Sequence, residues 1–236
     1  YTSGTTGNPK GVVYHHRGGY LMATGSVTAW NMPNRLNFLY TVPMFHCNGW
    51  CYPWTLAMLH ARVICIRNIR AKEIFELISE HKITHFGGAP IILNMLANAP
   101  KEEQIKLNHK VYVLTAAAPP PSIIFKKMKE LGFEVMHVYG LTETYGHILQ
   151  CAWNSAWDEL NEDEKADISS RQGVRYPNTE DVKVMNPENM KTVPNDGKTI
   201  GEIMIRGNVV MKGYFKDKDA TKTVSYTHLR AHETAT

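Results

Sequence analysis

The first eleven residues, Tyr1-Thr2-Ser3-Gly4-Thr5-Thr6-Gly7-Asn8-Pro9-Lys10-Gly11, hold one serine, three threonines, three glycines and a lysine. Glycines let backbone N–H groups come close to a ligand. The hydroxyls add donors, and Lys10 adds a point positive charge. Together these suit a polyphosphate. A flexible linker is the plain alternative, but linkers rarely combine so many hydroxyls with a GxPKG ending. The loop is not a Walker A motif, which needs Gly-Lys adjacent, whereas Pro9 precedes Lys10 here.

Three other positions could do chemistry. His46 ends a Pro-Met-Phe-His turn after a strand-like run, and an imidazole there could steer a charged group; a structural histidine is the alternative. Glu143 follows Tyr139-Gly140-Leu141-Thr142. It is either a ligand-facing carboxylate or a surface one, and Tyr139 is either a ligand-facing ring or a core aromatic at a strand end. Trp50, Trp54 and Trp153 suit a pocket or a core equally. His15-His16, His81 and His85 have no carboxylate or cysteine at metal spacing, and His232-Glu233-Thr234 lacks a second histidine four residues on. Cys47 and Cys51 are a lone CxxxC pair. The four cysteines read as free thiols in a reducing compartment.

The elements that must position these residues follow from pattern. The chain has 236 residues, 43% hydrophobic and 20% charged, with a net charge of +4. That is ordinary globular usage and gives no nucleic-acid or polybasic membrane reading. No apolar run is long enough to span a membrane, and no signal peptide is visible. Helices are expected at 14–30, 49–60, 71–82, 90–99 and 121–131, and strands at 36–42, 61–66, 83–86, 110–115 and 133–140. Gly87-Gly88 is expected to stop the third of these strands. The alternation implies parallel βαβ units. The acidic run 158–167 reads as a solvated surface helix. Residues 181–185, 199–207 and 209–215 are strand-like between turn signals. The expected fold is α/β, a doubly wound parallel-sheet layer over 1–175 followed by a smaller β-rich subdomain over 176–224.

YTSGTTGNPKG resembles the phosphate-binding signature of the adenylate-forming superfamily, and further motifs follow in the family's order. Tyr139–Glu143 resembles its YGxTE motif. Gly201–Gly207 with Lys212-Gly213-Tyr214 resembles GEIxIRG…KGY, and Thr115–Pro120 stands where the family has its adenine loop. Pro43–Trp50, Cys151-Ala152-Trp153 and Arg171–Arg175 are similar to the short- and medium-chain acyl-CoA synthetases.

The resemblance implies a reaction and roles. A carboxylic acid attacks the α-phosphate of ATP, giving acyl-adenylate and pyrophosphate, and coenzyme A then displaces AMP. The phosphate loop would be Thr2, Ser3, Gly4, Thr5, Thr6, Gly7 and Lys10. Thr142 would meet the α-phosphate, Glu143 would bind Mg²⁺, and Tyr139 with Gly140 would face adenine. Ala116, Ala117 and Ala118 would give adenine room. Many members carry a glycine in that stretch, which is one residue shorter here. His46 would lie beside the acyl group and the departing pyrophosphate.

The resemblance runs to about Thr223. The family's Thr-Gly-Asp segment, hinge and C-terminal lysine domain do not follow KGY here. The fragment alone is therefore expected to be inactive. From Ser225, SYTHLRAHETAT matches no family pattern and reads as a non-native tail with no part in fold or function. Two other functions stay open: an adenylation domain loading a carrier protein, and a non-catalytic nucleotide-binding remnant. The expected compartment is the cytoplasm, or the peroxisome in a eukaryote.

Overall fold

The computed structural model describes residues 1–2, 8–227 and 229–230. Its elements run β1 (Val12–Val13), α1 (His16–Ala29), β2 (Asn37–Tyr40), α2 (Cys47–Trp50), α3 (Tyr52–Met58), β3 (Arg62–Cys65), α4 (Ala71–His81), β4 (His85–Gly88), α5 (Pro90–Ala97), β5 (Val111–Thr115), α6 (Ser122–Glu130) and β6 (Phe133–Leu141). A 3₁₀ turn (Thr142–Thr144), β7 (Gly146–Gln150), a 3₁₀ turn (Ser155–Trp157), α7 (Glu162–Ser169) and β8 (Val174–Arg175) follow. The chain continues with β9 (Asp181–Met185), β10 (Glu202–Arg206), β11 (Gly213–Tyr214), α8 (Lys218–Thr227) and β12 (Leu229–Arg230).

The main sheet has the order β3-β2-β4-β5-β6-β7-β8. β3 to β6 are parallel, whereas β7 and β8 are antiparallel additions. Side chains alternate across it. Leu39, Val111, Val113 and Phe133 pack against Ile74, Phe75 and Ile78 of α4, Leu93 of α5 and Met128 of α6. Phe38, Tyr40, Leu114 and Val138 face the other way, onto Trp30 after α1 and onto Tyr52 and Leu56 of α3. Both faces are covered, so the layer is doubly wound, as the alternation of elements implies.

Four details differ from the sequence expectations. Gly87 and Gly88 do not stop β4 but belong to it, paired with Leu114 and Thr115; a Cβ on Gly87 would lie 3.0 Å from the Trp50 ring. The helix expected over 49–60 is broken. Positive φ runs through Cys47, Asn48, Gly49, Trp50 and Cys51, and α3 starts only after that left-handed turn. Residues 209–215 are not one strand. Val210 and Met211 turn into a cluster with Ile148 and Ile205, Val209 joins one with Met22 and Tyr176, and Gly213–Tyr214 pairs with β1. From Ser225, where no regular structure is expected, α8 continues to Thr227 and β12 pairs in parallel with Ile205–Arg206. The helix is launched at Asp217, whose carboxylate accepts the Ala220 N–H. His228 and 231–236 lie outside the described residues.

The expected acidic surface helix is α7. Asn161 caps it, and Asp163 and Glu162 pair with Lys126 and Lys129 of α6.

Among the described residues, His85, His137 and His147 are buried. His85 stacks on Tyr112 and meets the edge of Trp30, each at 5.0 Å. His147 lies between Trp50 and Tyr176. Burial pushes the imidazoles of His85 and His147 down to about 4. In the unfolded chain they titrate near ~6.5. The unfolded state therefore binds more protons between these values. Stability is full above ~6.5 and falls as the pH drops towards 4, by about 3 kcal/mol for each histidine. Urea unfolding midpoints should thus fall from pH 7 to pH 4.5, and less steeply in His85→Leu, which cannot ionise. Equal pH slopes in variant and parent would remove His85 from this account.

Candidate functional site

A cavity of about 200 Å³ opens at the carboxyl edge of the parallel strands. Its walls come from separate segments: Thr2 before β1, His46, Cys47 and Trp50 after β2, and Ala116 and Ala117 after β5. The β6–β7 hairpin adds Gly140, Leu141, Thr142, Glu143, Gly146 and His147. Ligands of open α/β sheets bind at this edge, where the chain reverses its winding; here the reversal falls between β2 and β4.

The hairpin is the most constrained wall. Gly140 crosses so close to its partner strand that a Cβ would lie 1.9 Å from the Gly146 carbonyl oxygen. The register shifts at this point. Thr144 Oγ1 accepts the Leu141 N–H at 3.0 Å and donates to the Gly146 carbonyl at 2.9 Å. Two distant segments then grip the turn. The Tyr14 hydroxyl donates to the Thr142 carbonyl at 2.9 Å, and the Met211 N–H donates to the Glu143 carbonyl at 2.8 Å. Thr142 Oγ1 and the Glu143 carboxylate are thus carried on a fixed backbone.

Around them, the Cys47 thiol sits 3.5 Å from Thr142 Oγ1. Burial raises its pKa, so the thiol stays protonated beside the site. Burial also raises Tyr14, and the Glu143 carboxylate adds to this. His46 is exposed and precedes the left-handed turn, whose Gly49 N–H donates to the His46 carbonyl at 2.8 Å. The Tyr214 hydroxyl donates to Glu143 Oε1 at 2.7 Å, and Lys10 Nζ lies 5.5 Å from the centre of the Tyr214 ring. Thr2 and Lys10 exchange two backbone hydrogen bonds, of 2.9 and 3.2 Å. These close the stem of the opening loop.

Of the residues singled out in the sequence, Thr2, His46, Ala116, Ala117, Gly140, Thr142 and Glu143 share the cavity, and Lys10 reaches Glu143 through Tyr214. Ser3, Gly4, Thr5, Thr6 and Gly7 lie outside the described residues. Ala118 is exposed and not on the cavity wall. Tyr139 packs beside Ile148, Val210 and Met211, and its place in the cavity is taken by Gly140 and Leu141. Trp50 is a wall residue. Trp54 belongs to a neighbouring hollow of about 620 Å³ and donates to the Tyr145 hydroxyl at 2.6 Å. Trp153 packs on Trp157 at 5.4 Å. Tyr14, Met211 and His147 carry no motif that would single them out; Tyr214 stands in one, KGY.

Ala117 has φ of +88°, in the region that favours glycine. The alanine therefore holds this bend against steric strain. Non-glycine residues pay ~1–2 kcal/mol there, and a new glycine loses ~0.5–1 kcal/mol through the flexibility of the unfolded chain. Ala117→Gly should therefore raise stability, by up to about 1.5 kcal/mol, whereas Ala116→Gly should lower it. Thermal unfolding of both variants checks this; destabilisation by Ala117→Gly would show that the bend is unstrained.

Residues 1–215 match the AMP-binding enzyme family. The chain is 53% identical over 224 residues to the peroxisomal acetate/butyrate–CoA ligase AAE7 of Arabidopsis thaliana, and 50% identical over 224 residues to the acetate–CoA ligase CCL3 of Humulus lupulus. Each alignment covers 94% of this chain and 39% of the relative, so the chain spans about two fifths of the length of these relatives. Among solved structures it is similar to the N-terminal domain of FACL13 from Mycobacterium tuberculosis, with a TM-score of 0.77 and 27% identity over 95% of this chain and 53% of that one. With the ordered motifs and the shared cavity, the match places the chain in the AMP-binding enzyme family.

Proposed function

We propose that this chain is the ATP- and acid-binding part of an acyl-CoA synthetase that activates a short- or medium-chain carboxylic acid and passes it to coenzyme A. One observation carries the reading: a single cavity gathers Thr2, His46, Thr142 and Glu143 from segments far apart in the chain. The names of the two plant relatives, both CoA ligases for small acids, support it.

The reaction joins two anions, so positioning and charge neutralisation are the main demands on the protein. Lys10 and the opening loop hold the β- and γ-phosphates, and the Thr142 hydroxyl donates to the α-phosphate. The acid lies against Trp50, Gly146 and His147, with His46 at the entrance. The acid's oxygen attacks the α-phosphorus and pyrophosphate leaves. The coenzyme A thiolate then attacks the acyl carbon and AMP leaves. No protein nucleophile is needed, which agrees with Cys47 being held as a neutral thiol.

The donor set fits Mg²⁺. No group of three or more metal-binding side chains stands among the described residues. Mg²⁺ is commonly held by one or two carboxylates with phosphate oxygens and waters, and Glu143 supplies one such carboxylate at the cavity. When bound, the ion neutralises phosphate charge.

The adenine-facing roles of Tyr139 and Ala118 belong to the same reading. Loading of an amino acid onto a carrier protein is less well supported: His46 and Cys47 stand at the turn where an aspartate would suit an amino group. Among the described residues, no helix is long and apolar enough to cross a membrane. The four free cysteines suit a reducing compartment, and we place the protein in the cytoplasm or in the peroxisome named for the Arabidopsis ligase.

Two outcomes follow, both measured on a chimera in which residues 1–224 replace the matching segment of the Arabidopsis ligase. Thr142→Val and Glu143→Gln should each slow acid-dependent pyrophosphate exchange by ~10²–10³ while leaving the melting temperature within a few degrees. Near-normal exchange in both would remove these residues from the site. Across acids of rising length, thioester synthesis should peak at a short or medium aliphatic acid. A peak at an aromatic or amino acid would overturn the substrate class.

A further inference from the structure

Tyr214 is bound from every side. Its N–H donates to Thr221 Oγ1 at 2.8 Å, and β11 pairs it with Val12 of β1. Its hydroxyl donates to Glu143 Oε1 at 2.7 Å, the length of a charge-assisted bond. Its ring faces the Lys10 ammonium at 5.5 Å, within cation–π range. β1 begins two residues after Lys10 and pairs with Tyr214, so one stretch of chain places both the lysine and the tyrosine. Glutamate has a long, freely rotating side chain. The Met211 N–H fixes the Glu143 backbone; among the described residues, the Tyr214 bond is the one that fixes a carboxylate oxygen.

We propose that Tyr214 is the positioning residue for Glu143: it holds one carboxylate oxygen, so that the other faces a divalent cation, and keeps Lys10 beside the same group. This rests on the reading of Glu143 as the cation's protein ligand. Partners that orient a metal ligand typically set ~10–100-fold in metal affinity. Tyr214 is not among the residues that line the cavity. It acts through Glu143, so its loss should weaken metal binding and spare metal-free nucleotide binding.

The test uses the whole 236-residue chain with Mn²⁺ as the paramagnetic probe. Free Mn²⁺ is counted by electron paramagnetic resonance at saturating ATP and compared with ATP alone. Metal-free ATP affinity is measured on the same preparations by calorimetry. Tyr214→Phe should weaken protein-dependent Mn²⁺ binding at least ~10-fold and change metal-free ATP affinity less than twofold. In Glu143→Gln the Mn²⁺ affinity should fall further, and adding Tyr214→Phe to that variant should change nothing more. Normal Mn²⁺ binding in Glu143→Gln would overturn the ligand reading itself. Loss in Glu143→Gln with Mn²⁺ affinity kept within twofold in Tyr214→Phe would overturn only the Tyr214 proposal, as would an equal loss of metal and metal-free ATP binding. Where Tyr214→Phe does not fold, Glu143→Asp takes its place: it keeps the charge but draws the carboxylate away from the phenol, and unchanged Mn²⁺ affinity there overturns the proposal.

Discussion

The turn from Thr142 to Thr144 is the point on which the rest of the site hangs. Its own hydroxyl bridge closes it, and backbone carbonyls at two successive residues receive donors from Tyr14 and Met211, which stand at opposite ends of the chain. A buried carbonyl without a donor is costly, so both segments must be in place before the turn is satisfied. Residues near the first strand and residues after the last long one are thereby tied to the middle of the main sheet.

The same tie joins the sheets. The cluster of Ile148, Ile205, Val210 and Met211 takes in Tyr14, Tyr139 and Leu141 at its edge. The main layer and the β9–β10 strands therefore share apolar surface immediately behind the cavity. Burial there removes water from the back of the Thr142–Glu143 turn, while the front stays open to ligand. A low-dielectric backing strengthens any hydrogen bond or charge at the front.

The parallel layer was legible in the sequence because its strands are buried on both faces and its helices carry an amphipathic period, as in α4 with Ile74, Phe75 and Ile78. The Thr142–Glu143 pair was legible from its motif. What was not legible came from backbone packing. β7 has no alternation to announce it, because His147, Ile148 and Gln150 are all buried. The left-handed run at Cys47–Cys51 includes Cys47, Trp50 and Cys51, which do not favour it as Asn48 and Gly49 do, so tertiary contact imposes it. Likewise Val209–Met211 has strand-like composition but is divided as a turn between two clusters.

The antiparallel reversal at β7 sets how this cavity can diversify. The hairpin presents Thr142 and Glu143 on its turn and His147 on its returning strand, with the crossing pinned where Gly140 touches the Gly146 backbone. Strand side chains alternate, so one residue inserted or deleted near the start of β7 would turn the following residues to the opposite face. His147 would leave the wall and its neighbour would enter. Descendants of this sequence can therefore vary the wall by exchanging side chains at constant length, while changes of length are left to loops away from the hairpin.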